Sequence, residues 1–187
     1  MRYGVLALQG AVSEHVAALK LAAKKLGMKV EILQVRERNE LGNLDGIILP
    51  GGESTTLSLL LEKNDMFGPL SRIPKIFGTC AGAILLARQI SPVVDGQKCM
   101  GLIDMKIIRN AYGRQLNSFI APIKTKLGDI EGVFIRAPGI VEVGPSVKVL
   151  GEHGEGIIAV QEGKHLAATF HPELSGSGLF HEHFLKL

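Results

Sequence analysis

Two short segments carry side chains whose types and spacing suit nucleophilic catalysis. The first is Gly78-Thr79-Cys80-Ala81-Gly82, set between a β-like run and an apolar helix-like run. It is the nucleophile-elbow pattern with cysteine in the serine position. The flanking glycines are needed because a side chain there would collide with the crossing strand and helix. The turn puts Cys80 at a helix N-terminus, where the positive dipole end favours thiolate, and the Ala81 N–H at the same spot would serve as an oxyanion donor. A buried structural cysteine fits the pentapeptide as well, since free Cys often acts as a small hydrophobe. The second segment is Phe170-His171-Pro172-Glu173. In an extended chain, residues i and i+2 share a side, and Pro172 biases His171 toward that conformation. Glu173 then reaches one imidazole nitrogen and leaves the other free to face a thiol, completing a triad. Alone, His-x-Glu also fits a surface pair. Each segment supplies what the other lacks.

A third segment, Leu49-Pro50-Gly51-Gly52-Glu53-Ser54, joins a strand to a helix through a double glycine. Backbone N–H groups at such a turn form an anion nest, suited to complete an oxyanion hole with Ala81. A tight βα turn with a Ser54 or Thr55 cap is the simpler alternative.

The elements that must position these groups alternate in the first half. Arg2–Gln9, Met28–Val35, Gly46–Leu49 and Lys75–Thr79 read as strands. Between them lie helices: one capped by Ser13 and ended by Gly27, one carrying Leu57, Leu60 and Leu61, and an apolar one running through Arg88. Such alternation implies right-handed crossovers and a mostly parallel sheet with helices on both faces. In the second half, short β-like runs at Lys106–Arg109, Ser118–Lys124, Val133–Arg136, Val147–Leu150, Ile157–Gln161 and Leu166–Phe170 are separated by Gly, Pro and Asp turns. They predict added antiparallel hairpins, followed by a last helix carrying Phe180, Phe184 and Leu187. The expected fold is α/β, a three-layer sandwich in a single domain over 1–187.

Composition narrows the function. The chain has 187 residues, 46% of them hydrophobic, enough for a sizeable core. The longest apolar-plus-glycine stretch, Ala81–Ala87, is far below the roughly 18–20 residues of a membrane span, and the N-terminal apolar segment is too short for a secretory signal. With 21 Lys+Arg against 18 Asp+Glu, no Trp and 5% aromatics, there is neither a strong basic field nor a stacking platform for nucleic acid. Two cysteines, Cys80 and Cys99, without Cys-x-x-Cys, argue for a reducing, cytoplasmic setting and against structural zinc.

Gly-Thr-Cys-Ala-Gly, Pro-Gly-Gly-Glu-Ser and His-Pro-Glu, in that order, resemble the triad-type (class I) glutamine amidotransferases. Leu8-Gln9-Gly10-Ala11-Val12 with Glu14-His15, Gly51-Gly52-Glu53-Ser54-Thr55-Thr56, Arg109-Asn110 with Gly113-Arg114-Gln115, and Phe134-Ile135-Arg136-Ala137-Pro138 are similar to the glutaminase-subunit family of pyridoxal phosphate synthases. The resemblance spans residues 8 to 173. It implies Cys80 as nucleophile, His171 as general base and then acid, and Glu173 as its orienter. Gly52, Glu53 and Ser54 would hold L-glutamine, with the Gly52 amide also available to the oxyanion, and Arg109, Ile135 and Arg136 would line the pocket for its amino-acid end. Ammonia would pass to a separate (β/α)8-barrel synthase subunit in a hetero-oligomeric complex. No cofactor, and no pyridoxal site, is expected on this chain. Gln9, Gly10, Glu14 and His15 would help dock the partner.

Other classes stay open on sequence: a γ-glutamyl hydrolase or small cysteine peptidase with the same elbow, or a non-catalytic α/β module with an inert Cys80. Gly154-Glu155-Gly156-Ile157-Ile158-Ala159 formally fits a dinucleotide fingerprint but precedes a strand, not a helix. His181-Glu182-His183 would place its two rings about 200° apart on a helix, unable to chelate one ion, and is expected to be exposed. No metal site is expected.

Overall fold

Period-two alternation along each central strand sends neighbouring side chains to opposite apolar layers. Ile47 and Leu49 pack into one layer and Ile48 into the other; Ile76 and Phe77 part in the same way. The structure, a computed structural model, describes residues 1–93, 95–111 and 118–187. Its strands are β1 (Arg2–Leu6), β2 (Glu31–Val35), β3 (Gly46–Leu49), β4 (Ile76–Thr79), β5 (Ala87–Ser91), β6 (Ile103–Ile108), β7 (Ser118–Thr125), β8 (Gly128–Ile135), β9 (Gly139–Val143), β10 (Lys148–His153), β11 (Gly156–Glu162) and β12 (His165–Ala168). The helices are α1 (Val12–Lys25), α2 (Ser54–Lys63), α3 (Phe67–Ser71), α4 (Ala81–Leu86) and α5 (Leu179–Lys186).

The sheet runs β2-β1-β3-β4-β12-β11-β10-β7-β8, with β5, β6 and β9 branching from it. From β2 to β12 every pairing is parallel, and from β12 to β8 every pairing is antiparallel. Leu57, Leu61, Leu70 and Leu85 of α2, α3 and α4 cover one face, while Leu19 and Ala22 of α1 and Phe180 and Phe184 of α5 cover the other. This is the three-layer α/β arrangement with second-half hairpins that the sequence predicts. Among the described residues, no helix is long and apolar enough to cross a membrane.

Local boundaries differ where polar and apolar patterns compete. The helix after Cys80 stops at Leu86 rather than Arg88, because Ala87–Ser91 pairs in parallel with β6 and buries Ala87. Helix α1 begins at Val12 with no side-chain cap, and Ser13 donates instead to Glu14. Strand β9 follows Pro138 and was not foreseen; it closes β6 onto β11. His181 and Glu182 are buried, not exposed, because α5 turns that side onto α1. Phe77 is fully buried against Phe180, Phe184 and His181. Phe77→Ala is expected to lower unfolding free energy by about 3–5 kcal/mol, read from denaturant titrations.

Candidate active site

Because β1, β3, β4 and β12 are parallel, the loops leaving their C-terminal ends share one edge of the sheet. β3 runs into Pro50-Gly51-Gly52, β4 into Cys80, β12 into Thr169-Phe170-His171, and the loop after β1 carries Gln9 and Gly10. The register pairs Leu49 with Gly78 and Thr79 with Ala168, and the Cys80 N–H donates to the Ala168 carbonyl at 2.9 Å. Nucleophile and imidazole candidates, distant in sequence, therefore emerge side by side.

The elbow is strained as its sequence requires. Cys80 sits at φ 48°, ψ −105°, a conformation that costs a non-glycine residue on the order of 1–3 kcal/mol. A Cβ on Gly82 would run into the Leu49 carbonyl, and one on Gly78 into the Gly82 backbone, so neither position admits a side chain. A Cβ on Gly51 would stand 2.5 Å from His171 Cε1 and 3.2 Å from Cys80 Cβ. Gly51 thus leaves the space in which the ring meets the thiol.

His171 Nδ1 lies 2.7 Å from Glu173 Oε1, and both side chains are buried. Burial would lower the ring's pKa, but hydrogen bonds to Cys80 and Glu173 and their negative charges outweigh it, raising it to about 10. An imidazolium and a thiolate favour one another in such a pair.

Around them is a cavity of about 290 Å³ lined by Gly10, Gly51, Gly52, Glu53, Ser54, Cys80, Ala81, Arg109, Asn110, Ile135, Arg136 and His171. Its size is at the small end of ligand pockets, suited to an amino acid rather than a peptide. Every expected catalytic, oxyanion and substrate residue except Glu173 borders it, and Glu173 stands directly behind His171. Cys80, Asn110 and Arg136, all non-glycine residues at positive φ, converge on its wall.

Glu53 does more than the sequence suggested. It caps α2 in place of Ser54 or Thr55, accepting from the N–H groups of Thr55 at 3.0 Å and Thr56 at 2.6 Å. Partial burial would raise its pKa, but these bonds bring it down to about 2. Its carboxylate also meets Arg109 at 3.1 Å, and Arg109 reaches Gln97 at 3.2 Å. Gln97 carried no motif, so sequence reasoning missed it.

The residues expected to dock a partner divide. Gly10 and Glu14 are exposed, and Gln9 donates to the Glu53 carbonyl at 2.8 Å. His15 is a correction: its ring is fully buried behind Glu173, because α1 turns it toward α5, so it offers no surface to a partner. The motif Gly113-Arg114-Gln115 lies outside the described residues.

Residues 5–187 match the SNO glutamine amidotransferase family. The chain belongs to that family. Among relatives of this amidotransferase, the pyridoxal 5'-phosphate synthase subunit PdxT of Thermococcus onnurineus is 46% identical, covering 100% of this chain and 98% of the relative. PdxT of Pyrococcus furiosus is 42% identical, with 100% and 98% covered. A crystal structure of a glutamine amidotransferase superposes with TM-score 0.86 at 39% identity, covering 98% of this chain and 97% of that one. These matches do not favour the peptidase, γ-glutamyl hydrolase or non-catalytic alternatives.

The raised His171 pKa has a measurable consequence. The ring's charge steers anionic reagents to the sulfur below its pKa and is lost above it. The ratio of Cys80 alkylation by iodoacetate to that by iodoacetamide should therefore hold through neutral pH and fall as pH passes about 10. A fall centred near the unperturbed 6.5 contradicts the pairing. The same sign governs stability: this contribution is complete below 6.5 and lost as pH rises through about 10.

Proposed function

We propose that this amidotransferase hydrolyses L-glutamine to glutamate and ammonia through Cys80, His171 and Glu173. The carrying observation is the buried His171–Glu173 hydrogen bond at 2.7 Å beside the strained Cys80, in a cavity sized for an amino acid.

Cys80 thiolate attacks the side-chain carboxamide carbon, and the electron pair moves onto its oxygen. Backbone N–H groups of Ala81 and Gly52 hold that oxyanion; such a donor is typically worth about 2.7–4 kcal/mol of transition-state stabilisation. His171 gives its proton to the departing ammonia, leaving a glutamyl thioester. It then takes a proton from water, whose hydroxide attacks the thioester and releases glutamate and the thiolate. Glu173 holds the ring in the productive tautomer. Glu53, Ser54, Arg109, Ile135 and Arg136 bind and orient glutamine. An arginine fork matches a carboxylate, and Arg109, steadied by Glu53 at 3.1 Å, takes the α-carboxylate of glutamine in this reading.

The ammonia passes to a separate synthase of (β/α)8-barrel type that builds pyridoxal phosphate. In this reading Gln9, Gly10 and Glu14 help dock that partner, which is supported by Gly10 bordering the cavity and by the exposure of Gly10 and Glu14. Gly10 abuts the Gly51 carbonyl, and Gln9 holds the carbonyl of Glu53. A partner pressing on this loop therefore bears on the glycine turn, and Gly52, at φ 142°, permits a peptide flip that other residues resist.

Glutamate release should rise several-fold when a barrel-type synthase is added. Equal rates with and without it remove the coupling. Cys80→Ala should abolish release in both conditions while leaving the melting curve intact, and ordinary turnover by Cys80→Ala overturns the glutaminase reading.

A further inference from the structure

Behind Glu173 lies a buried imidazole pair that the proposed chemistry leaves unused. His15 on α1 and His181 on α5 are both fully buried, and His15 Nδ1 stands 3.0 Å from His181 Nε2. The other nitrogen, His15 Nε2, is 3.1 Å from Thr79 Oγ1 and 3.4 Å from Glu173 Oε2. That carboxylate oxygen is buried and has no hydrogen-bond partner among the described residues; His181 Nδ1 is in the same condition.

We infer that His15 is a positioning residue: its Nε2–H, bonded to Thr79 Oγ1, stands beside the second oxygen of Glu173, and His181 fixes the tautomer that keeps the proton there. The reading rests on the proposed triad and extends it from three side chains to five.

Two tautomer arrangements satisfy the His15–His181 bond, and they are not equal. In one, His15 Nδ1–H donates to His181 Nε2. His181 must then carry its remaining proton on Nδ1, an orphaned buried donor, while a bare lone pair on His15 Nε2 confronts the carboxylate. In the other, His181 Nε2–H donates to His15 Nδ1, and His15 Nε2–H lies between Thr79 Oγ1 and Glu173 Oε2. The loose ends are a lone pair on His181 Nδ1 and the Thr79 hydroxyl hydrogen, which is free to rotate toward an acceptor as a ring N–H is not. Orphaned buried N–H groups are rarer than under-satisfied acceptors, so the second arrangement holds. All its donors then point the same way, from α5 through α1 toward the carboxylate.

Both rings are neutral in this arrangement. Burial pushes the His181 pKa down to about 3, and burial with the neighbouring His181 and His171 rings pushes His15 well below its ordinary value. A neutral donor supports the Glu173 charge without competing with His171 for it. The groups facing the pair are few. The turn after β12 brings Glu173 and His171, the end of β4 brings Thr79, and the elbow brings Cys80 beyond His171. On α5, Glu182 faces away and is held by Lys25 of α1 at 2.7 Å. Phe77 closes the remaining side.

The test compares His15→Leu, His15→Asn and His15→Gln, assayed with glutamine and synthase, with Cys80→Ala as control. A glutamine amide can place an N–H near the Nε2 position, whereas asparagine is too short and leucine has no donor. Leu and Asn should lower kcat about 10- to 100-fold and leave KM for glutamine within about twofold. Gln should restore most of kcat. Nitrogen-15 NMR of the unaltered protein at neutral pH should show His15 as the Nε2–H tautomer. Wild-type kcat in folded His15→Leu, or an Nδ1–H tautomer for His15, overturns the inference. An active Cys80→Ala overturns the triad itself, a different result from normal His15 variants beside a dead Cys80→Ala.

Discussion

The site depends on one hydrogen bond, from the Cys80 N–H to the Ala168 carbonyl. It continues the β4–β12 pairing one residue past the end of β4, into the elbow. With that register fixed, β12 delivers His171 to the same edge three residues later, and Glu173 follows on the short helical turn at Pro172–Leu174. A slip of one residue would turn each strand's side chains to the opposite face. The Phe77 and Leu166 layer would then lose its apolar partners along with the sulfur–imidazole meeting. Core packing and site geometry are therefore one constraint.

Glycine at three neighbouring points makes the approach possible. Gly78 and Gly82 let β4, α4 and β3 cross within van der Waals distance, and Gly51 leaves room for the His171 ring. These close approaches and the positive-φ wall residues Cys80, Asn110 and Arg136 concentrate strain around one cavity. Such strain persists only where surrounding structure over-determines it. Here that structure is the fully buried central strands β3 and β4.

Much of this was legible in the sequence because it rests on local rules. Gly46–Leu49 is a strand with the bounds its apolar run suggests, and the elbow glycines announce their own crowding. His171 and Glu173 were readable as a pair because two-residue spacing across a proline is a local geometric statement. The burial of His15 and His181 was not. Each sits on an amphipathic helix beside other polar residues, Glu14 and Glu182, and only the packing of α1 against α5 shows that the two rings face one another. Glu53 was visible as a polar residue beside a glycine turn, but its simultaneous bonds to Thr55, Thr56 and Arg109 depend on β6 ending nearby. The hidden strand β9 likewise has meaning only through its partners, β6 and β11.

The same distinction explains why the buried charge sits where it does. An unpaired carboxylate in a low-dielectric interior is costly, and breaking a buried pair is far more damaging than replacing it wholesale. Glu173 is shielded on one oxygen by His171, whose other nitrogen must remain available to the sulfur. A second cation behind it would neutralise Glu173 and weaken its hold on the His171 proton. A second carboxylate would repel it. A neutral imidazole with its N–H 3.4 Å from the free oxygen avoids both outcomes, provided that another group fixes its tautomer, and His181 does so at 3.0 Å. The chain of side chains running inward from the cavity is thus ordered by charge: an ionisable sulfur, a readily protonated ring, a carboxylate, then two rings that burial holds neutral.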